Sequence, residues 1–367
     1  MKYLFILGRN PKLSLEEIKA FFKSKGNKIL DYSLKKNAML IELEKPIENI
    51  IDKLGGVISI GEVIACGKNL IEEINKQEIY FGKENKINYL IWNFSDRTSE
   101  IEDYLKKRFH NEKLKATQKK ISSEMVLQTG EKVPRSSSGR NISEEYFVFN
   151  DCFGRIIQKN NYEEIEYRDM NKPIRRESLS ISPRISKIMI NLSLIKPGEK
   201  MLDAFSGIGG ILQEALLQGI KVIGVEKDKR AIEGSIKNLE FLGFDKKDYT
   251  LINFDSRKVN IPPVSVMVSE PDLGDVLKKM PTKTAAKKTL RNFERLMIDV
   301  INNLKPKIKG RIVFTAPCIK HFKKRLHCNI NKILDETSYS LVKGFPIEEF
   351  RKGQIVGRDI IVLEKNS

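Results

Sequence analysis

Four carboxylates stand directly after apolar, strand-like runs in the second half of the chain. Asp203, Glu226 and Asp255 follow three such runs, and Glu270 follows a fourth in the stretch VMVSEPDLGD. In open α/β sheets, ligands bind outside the carboxyl ends of the parallel strands. We therefore expect these side chains to share one edge of a sheet and to bind a ligand or a reacting group there.

A glycine-rich turn follows the first of these runs. In MLDAFSGIGGIL, Gly207, Gly209 and Gly210 come shortly after Asp203. Glycines at that point allow a tight turn and a close approach of the backbone to a ligand. Glu226 ends the next strand about 20 residues further on, where a carboxylate can accept hydrogen bonds from ribose hydroxyls. The pattern indicates a nucleoside ligand.

Two ligands fit this arrangement, a dinucleotide and S-adenosylmethionine. A dinucleotide site needs G-x-G-x-x-G directly after the strand, whereas this chain has G-x-G-G. Asp203 would repel a pyrophosphate but attract the ammonium and sulfonium of S-adenosylmethionine, and Asp255 could accept the adenine amino group. The alternative is a capping aspartate beside a turn used only for packing. The predicted cofactor-binding residues are Asp203, Phe205, Ser206, Gly207, Gly209, Glu226, Lys227, Asp255 and Ser256.

The order of elements predicts how the chain positions this site. From about residue 183 to 367, strands alternate with helices, which indicates a Rossmann-like α/β domain with a mainly parallel sheet. Residues 1–70 show the order strand, helix, strand, strand, helix, strand of a ferredoxin-like α+β unit, with its second helix beginning at Pro46. Residues 71–160 mix the two element types, and residues 161–182 are predicted to be a linker that makes contacts.

The charge of the chain favours a polyanionic partner. Lys and Arg number 66 against 48 Asp and Glu, which gives a net charge of +18 over 367 residues. A surplus of this size is typical of nucleic-acid-binding proteins. The alternative is an ordinary solvated surface rich in lysine. The chain shows neither a signal peptide nor a stretch that approaches a membrane span, so we expect a cytoplasmic protein.

The cysteines and histidines give no sign of a metal site. None of the four cysteines belongs to a C-x-x-C pair, so we expect free thiols in a reducing compartment. His321, His327 and Cys328 occur together in HFKKRLHC, but their spacing does not suit a helical metal pair. We interpret that stretch as a basic surface helix and expect no metal.

Longer stretches around the glycine turn resemble a known family. SPRISKIMINLSLIKPGEKMLDAFSGIGGIL, followed by VIGVEKDKRAIEGSIKNLEFLG, resembles the tRNA guanine-N2 methyltransferases that carry a THUMP domain. That family has L-D-P-F-C-G-T-G-G-I-L at the turn, and this chain replaces its Pro, Cys and Thr by Ala204, Ser206 and Ile208. YRDMNKPIRR and GQIVGRDIIVLEK also resemble the family's stretch before the domain and its C-terminal hairpin.

The resemblance implies a class I domain that transfers a methyl group to the exocyclic N2 amine of a guanosine in tRNA, typically at position ten. It implies a THUMP-like RNA-binding domain at residues 71–160, tRNA as partner and a small activator protein as a further candidate partner. An adenine-N6 methyltransferase and a catalytically degenerate tRNA-binding protein are the alternatives. The basic run at 106–120 would face phosphates, although a solvated helix face explains it as well. The predicted RNA-binding residues are Lys106, Lys107, Arg108, Lys113, Lys115, Lys119, Lys120, Arg175 and Arg176.

The chain departs from the family at the loop that holds the target amine. The family has D-P-P-Y there, where the Asp and a backbone carbonyl accept the amine hydrogens and the ring stacks on the base. One register places Ser269 first, and the other places Glu270 first and ends on Gly274. We prefer the second because it keeps an acid, a proline and the glycine in place. The predicted catalytic residues are Ser269, Glu270, Pro271 and Asp272.

In the preferred register Leu273 replaces the family's aromatic residue. Stacking of a base on an aromatic ring is worth roughly 1–3 kcal/mol, so its loss matters unless another ring takes its place. Phe205, Phe314 and Phe345 are the candidates for that role.

Overall fold

The computed structural model describes residues 1–126, 132–136, 142–175, 181–274, 277, 279–351 and 353–366. The chain divides into two compact units. The first consists of Met1–Leu15 and Gly26–Glu166, and the second of Glu16–Lys25 and Tyr167–Ser367. Among the described residues, no helix is long and apolar enough to cross a membrane.

Within the described residues of the first part of the chain there are ten strands, and eight of them form one sheet of order β2-β3-β1-β4-β10-β9-β5-β6. The other two, β7 and β8, pair with each other. The strands are β1 (Lys2–Leu7), β2 (Ile29–Lys35), β3 (Ala38–Leu43), β4 (Val57–Cys66), β5 (Lys86–Phe94), β6 (Lys115–Lys119), β7 (Ile121–Val126), β8 (Lys132–Ser136), β9 (Glu144–Phe149) and β10 (Cys152–Lys159). The helices of this part are α1 (Pro11–Lys25), α2 (Leu70–Asn75), α3 (Thr98–Asn111) and α4 (Tyr162–Met170).

The eight-stranded sheet runs through both of the domains predicted before residue 160, because β4 pairs with β1 on one side and with β10 on the other. The boundary at residue 70 stays a prediction. The helix expected from Pro46 is wrong, since only a single 3-10 turn forms, at Ile51–Lys53. The N–H groups of Ile50 and Ile51 donate to the side chain of Gln158 at 2.9 and 3.1 Å, so a tertiary contact replaces the expected helix start.

The expectation of four free thiols is also wrong. Cys66 and Cys152 are paired residues of β4 and β10, and they form a disulfide. They lie 86 residues apart in sequence, so only the register of the folded sheet brings them together. Cys318 and Cys328 are free.

The second unit contains the alternating strands and helices that the sequence predicts. Its strands are β11 (Lys200–Asp203), β12 (Lys221–Glu226), β13 (Tyr249–Asn253), β14 (Val266–Ser269), β15 (Ile312–His321), β16 (Lys324–Leu326), β17 (Tyr339–Leu341), β18 (Ile347–Glu349) and β19 (Val356–Lys365). Its helices are α5 (Pro183–Leu192), α6 (Gly210–Leu216), α7 (Lys229–Phe241), α8 (Lys283–Leu304) and α9 (Ile330–Thr337).

The sheet of the second unit has the order β13-β12-β11-β14-β15-β19-β17, with β16 on β15 and β18 on β19. Neighbours from β13 to β15 are parallel, whereas β19 is antiparallel to β15. This confirms the predicted Rossmann-like α/β domain. Because the parallel strands end together, the loops after β11, β12, β13 and β14 meet at one edge of the sheet.

A continuous apolar core fixes these strands. Leu202, Met267 and Phe314, from the three central strands, are fully buried, and they belong to one cluster with Met297 and Ile301 of α8. Strands buried on both faces carry near-continuous apolar runs, which is why the sequence identifies them readily. The core therefore holds the loops at the carboxyl edge in fixed positions.

The stretch HFKKRLHC is a hairpin, and the prediction of a basic helix is wrong. β15 ends at His321 and β16 begins at Lys324, with Ile319 opposite Leu326. These two apolar residues pack with Leu290 of α8. The alternation of inward and outward residues in this stretch is therefore that of a strand.

Candidate active site

The ends of β11 and β14 are joined by hydrogen bonds. The Ala204 N–H donates to the Ser269 hydroxyl at 2.8 Å, and the Phe205 N–H donates to the Asp203 carboxylate at 3.1 Å. Asp203 and Ser269 are both buried. Burial raises the pKa of Asp203 to about 7, against the effect of its hydrogen bonds from Phe205 and Ser269. An acid held this way is costly to ionise alone, and a cationic ligand would favour its charged form.

The glycine turn needs backbone conformations that other residues rarely adopt. Gly209 precedes α6 with a φ of 87°, and a Cβ there would lie 2.6 Å from the hydroxyl of Ser235. Gly207 has a φ of 50°, and a Cβ there would meet nothing within 4 Å. Gly209 is therefore required for packing against α7, whereas a side chain at Gly207 would meet open space.

Glu226 binds the glycine turn directly. It accepts the N–H of Gly207 at 3.1 Å and the N–H of Asp228 at 2.9 Å through different carboxylate oxygens. Asp228 in turn caps α7 by accepting the N–H of Arg230 at 2.9 Å. The carboxylate predicted to bind ribose thus stands beside the turn predicted to surround the ligand, and each oxygen can still accept another hydrogen bond.

Ser206 offers an observation that bears on whether a polar cofactor fits. Its side chain is buried, and its hydroxyl has no hydrogen-bond partner among the described residues. Buried polar atoms are nearly always partnered, so an orphaned hydroxyl in this turn suits a ligand with polar groups. With the acids Asp203 and Glu226 on either side, the residues present fit S-adenosylmethionine.

Of the remaining predicted cofactor residues, some make contacts within the fold and one is exposed. Asp255 forms an ion pair with Arg257 at 2.6 Å, and this bond lowers its pKa to about 2. Ser256 donates to the carbonyl of Ala204, which ties the loop after β13 to the loop after β11. Lys227 is exposed beside Glu226. Ser256 is therefore positioned to support the site rather than to contact a ligand through a free hydroxyl.

Glu270 is the buried acid that follows β14, and its side chain is only 10% exposed. Its carboxylate accepts a hydrogen bond from Nε of Arg358, which lies in β19. Burial raises the pKa of Glu270, and the Arg358 guanidinium opposes that shift. Glu270 also acts electrostatically on Asp203. The preferred register thus gives an acid at the sheet edge, next to the predicted cofactor acid.

The other residues of this loop shape its turn. Pro271 is buried, whereas Asp272 is exposed and accepts the N–H of Gly274 at 2.9 Å. Gly274 has a φ of 93°, which explains the need for glycine. Leu273 packs against the core below the sheet edge. Asp272 therefore forms a local turn, and Glu270 is the acid of the pair that faces inward.

The structure limits which aromatic ring could replace the missing one. Phe314 is fully buried in the core and Phe345 is 8% exposed, so neither can stack on an incoming base. Phe205 is only partly buried, and it packs against the same core cluster as Leu273. Of the three proposed rings, Phe205 alone retains exposed surface.

Two residues that the sequence analysis did not select organise the site. Arg358 partners Glu270, and Asn238 of α7 donates to the carbonyls of Ile174 and Ile208, both at 3.0 Å. Asn238 thereby fixes the glycine turn and the backbone at Ile174. For Asn238, the available sequence signal was an Asn at a core-facing position within the apolar pattern of α7. For Arg358 no sequence signal exists, because its partner is 88 residues away.

The predicted RNA-binding residues fall into different environments. Exposed side chains are those of Lys106, Lys107, Lys113, Lys115 and Lys120 in the first unit, while Lys119 there and Arg175 in the second are half-buried. Arg108 instead donates to the carbonyls of Ile74 and Gln77, both at 2.7 Å, and to Glu112. Its guanidinium is therefore used within the fold. Arg176 lies outside the described residues.

The described residues contain one group whose spacing suits a metal ion, formed by His327, Glu348 and Asp359. His327 Nδ1 lies 2.7 Å from Asp359, and Nε2 lies 3.4 Å from Glu348. Both imidazole nitrogens are thus engaged. These contacts link β18 and β19 to the stretch before α9.

The fold and the acids at its carboxyl edge define a class I methyltransferase domain. Residues 166–331 match the sequence model of the UPF0020 family, the RMKL-like methyltransferase domain. The expectation of S-adenosyl-L-methionine as cofactor is confirmed for this domain.

The chain is also similar to named methyltransferases. A tRNA (guanine(10)-N2)-dimethyltransferase of Methanothermobacter thermautotrophicus is 34% identical over 38% of this chain and 39% of its own length. An enzyme of the same name from Pyrococcus abyssi is 23% identical over 71% of this chain and 73% of its own. The first match thus spans about two fifths of that relative. The crystal structure of TrmN from Thermus thermophilus covers the whole chain with a TM-score of 0.51 at 12% identity, a likeness of fold.

Proposed function

We propose that this protein methylates the exocyclic N2 amine of a guanosine in tRNA, with S-adenosyl-L-methionine as methyl donor. The names of the relatives support this substrate, and they make position ten the first to test. The observation that carries the proposal is the position of Glu270. A carboxylate that is only 10% exposed stands directly after β14, beside the cofactor acid Asp203.

The chain's own residues suit each part of the cofactor. Asp203 would attract its ammonium, the glycine turn would lie along it, and Glu226 would accept the hydrogens of the ribose hydroxyls. When bound, S-adenosyl-L-methionine supplies an electrophilic methyl group on a sulfonium. Asp255 would reach the adenine amino group only with an oxygen that its bond to Arg257 leaves available.

Glu270 would orient the target amine. The lone pair of a guanine N2 amine is delocalised into the ring, so the amine is a weak nucleophile and its alignment matters. A carboxylate that accepts an amine hydrogen fixes this alignment, and it can receive the proton that the nitrogen must lose as the new carbon–nitrogen bond forms. Arg358 keeps Glu270 in place and favours its ionised form.

The first unit would hold the tRNA. Exposed lysines on α3 and β6 give it a basic surface, and phosphate contacts of this kind provide affinity without sequence preference. A THUMP-like fold for residues 71–160, a cytoplasmic location and a small activator protein stay predictions.

Transfer of a labelled methyl group to an unmodified tRNA transcript tests the proposal. The matched control is a transcript in which the guanosine at position ten is replaced by adenosine, with its base-pairing partner changed to match. We expect labelling of the first transcript only. Equal labelling of both transcripts would show that the methylated nucleoside lies at another position. Labelling of neither transcript by a protein that binds the cofactor would exclude this activity.

A further inference from the structure

The hairpin of β15 and β16 extends beyond the edge of the sheet that carries the site. β15 pairs with β14 only as far as Phe314, opposite Ser269, yet it continues to His321. At the rise of an extended strand, this carries the tip roughly 23 Å past the end of β14. The stretch therefore stands on the side where Glu270 and its loop emerge.

The tip of the hairpin carries an aromatic residue in an unfavourable conformation. His321 pairs with Lys324, so Phe322 and Lys323 form a two-residue turn. Phe322 has a φ of 54°, a region that suits Gly, Asn or Asp in such turns. A bulky residue there is a genuine outlier. A fold selected for stability alone would favour glycine at this position.

The ring of Phe322 makes little packing contact with the rest of the fold. Phe322 is 68% exposed. Its ring approaches the ring of His321 edge-on, with 4.8 Å between the ring centroids. Its N–H donates to the sulfur of Met280, which any residue could do. Packing therefore does not explain an aromatic residue at this position, and residues that break local rules concentrate at functional sites.

Positive charge surrounds the exposed ring. Lys320, Lys323 and Lys324 are exposed, and the structure shows no ion pair from any of them to the residues it describes. Cations beside an exposed aromatic face suit a chain of phosphates and bases, because the ring stacks on bases while the amines contact phosphates.

We propose that the β15–β16 tip, residues 320–324, binds the substrate RNA several nucleotides from the target guanosine, with Phe322 stacked on an unpaired base. The inference rests on the proposed function. The tip is too far from Glu270 to hold the reacting guanine, so the stacked base is a flanking one several nucleotides away. The tip would thus fix the register of the RNA rather than take part in methyl transfer.

Binding of the full chain to a tRNA transcript, without cofactor, tests this inference. Phe322→Gly removes the ring and suits the positive φ, so the melting temperature should stay equal or rise while the tRNA affinity falls by roughly 5- to 100-fold. Phe241→Ala is the matched control. Phe241 is 46% exposed at the end of α7, at the opposite edge of the sheet, and its loss should leave the affinity unchanged.

The lysines provide an independent readout. Replacing Lys320, Lys323 and Lys324 together by Ala should reduce the salt dependence of tRNA affinity by a slope of roughly 2. Unchanged affinity in Phe322→Gly together with an unchanged slope in the lysine variant would overturn the inference. Failure of the wild-type chain to bind tRNA would instead overturn the proposed function, so the two failures are distinguishable.

Discussion

Arg358 of β19 donates a hydrogen bond to the buried carboxylate of Glu270, the residue that follows β14. The pair joins the C-terminal hairpin to the loop that would hold the target amine. Burial raises the pKa of Glu270, and the guanidinium opposes that effect. The charge state of the loop therefore depends on a residue far away in sequence.

Replacing Arg358 by Gln should move the pH dependence of methyl transfer. Without the cation, the pKa of Glu270 rises further, so more of it is protonated at neutral pH. We expect the acid limb of the kcat profile to shift to higher pH, with activity partly restored at high pH. The measurement is kcat from pH 6 to 9.

Arg311→Gln is the control for this experiment. Arg311 also pairs with a glutamate across strands, at 3.1 Å from Glu364, but it precedes β15 at the other edge of the sheet. The pH dependence of kcat in Arg311→Gln should match that of the wild type. A uniform loss of activity in Arg358→Gln, with the limb unmoved, would mean that Arg358 serves only the fold.

The two acids of the loop should differ sharply in importance. Glu270→Ala should reduce methyl transfer at least 100-fold while cofactor binding, measured by calorimetry, is retained. Asp272→Asn should keep transfer within about 3-fold, because an Asn oxygen can accept the N–H of Gly274 as Asp272 does. The reverse pattern would show that the preferred register is wrong.

Asp203→Asn should stabilise the fold at alkaline pH and weaken cofactor binding. The pKa of Asp203 is raised to about 7 in the folded chain, so its ionisation destabilises the native state as pH rises from about 4 to 7. Removing it should increase the free energy of unfolding by roughly 2–4 kcal/mol at pH 8 and by little at pH 4. Chemical denaturation at both pH values checks this, and a gain that is equal at both would contradict it.

Gly209→Ala should destabilise the fold more than Gly243→Ala. Both glycines have positive φ values, 87° and 73°, but only at Gly209 would a Cβ meet a buried group, at 2.6 Å from Ser235. The shared backbone cost is about 1–2 kcal/mol, so the difference between the two variants isolates the clash. Equal losses in thermal unfolding would show that α7 can move away from the turn.

Local patterns made the cofactor half of the site predictable. Each acid from Asp203 to Glu270 follows a strand of the sheet, and the parallel sheet brings strand ends together by its topology. The glycine turn could be recognised for the same reason, since Gly207 and Gly209 mark backbone conformations in the sequence itself. These features depend on neighbours along the chain.

The features that the sequence did not reveal depend on register between distant strands. Arg358 meets Glu270 because β14 and β19 both pair with β15, and Cys66 meets Cys152 because β4 pairs with β10. The stretch HFKKRLHC carries a weak strand signal, because basic residues separate Ile319 from Leu326, its partner across the hairpin. Side-chain periodicity predicts elements, but not which residues the elements bring into contact.

The identity of the methylated nucleoside tests the central claim most directly. The protein would be incubated with methyl-labelled S-adenosyl-L-methionine and an unmodified tRNA transcript, and the digested RNA analysed by mass spectrometry. The account predicts the label in N2-methylated guanosine, and its absence with Glu270→Ala. Label in N6-methyladenosine, or no transfer by a protein that binds the cofactor, would contradict it.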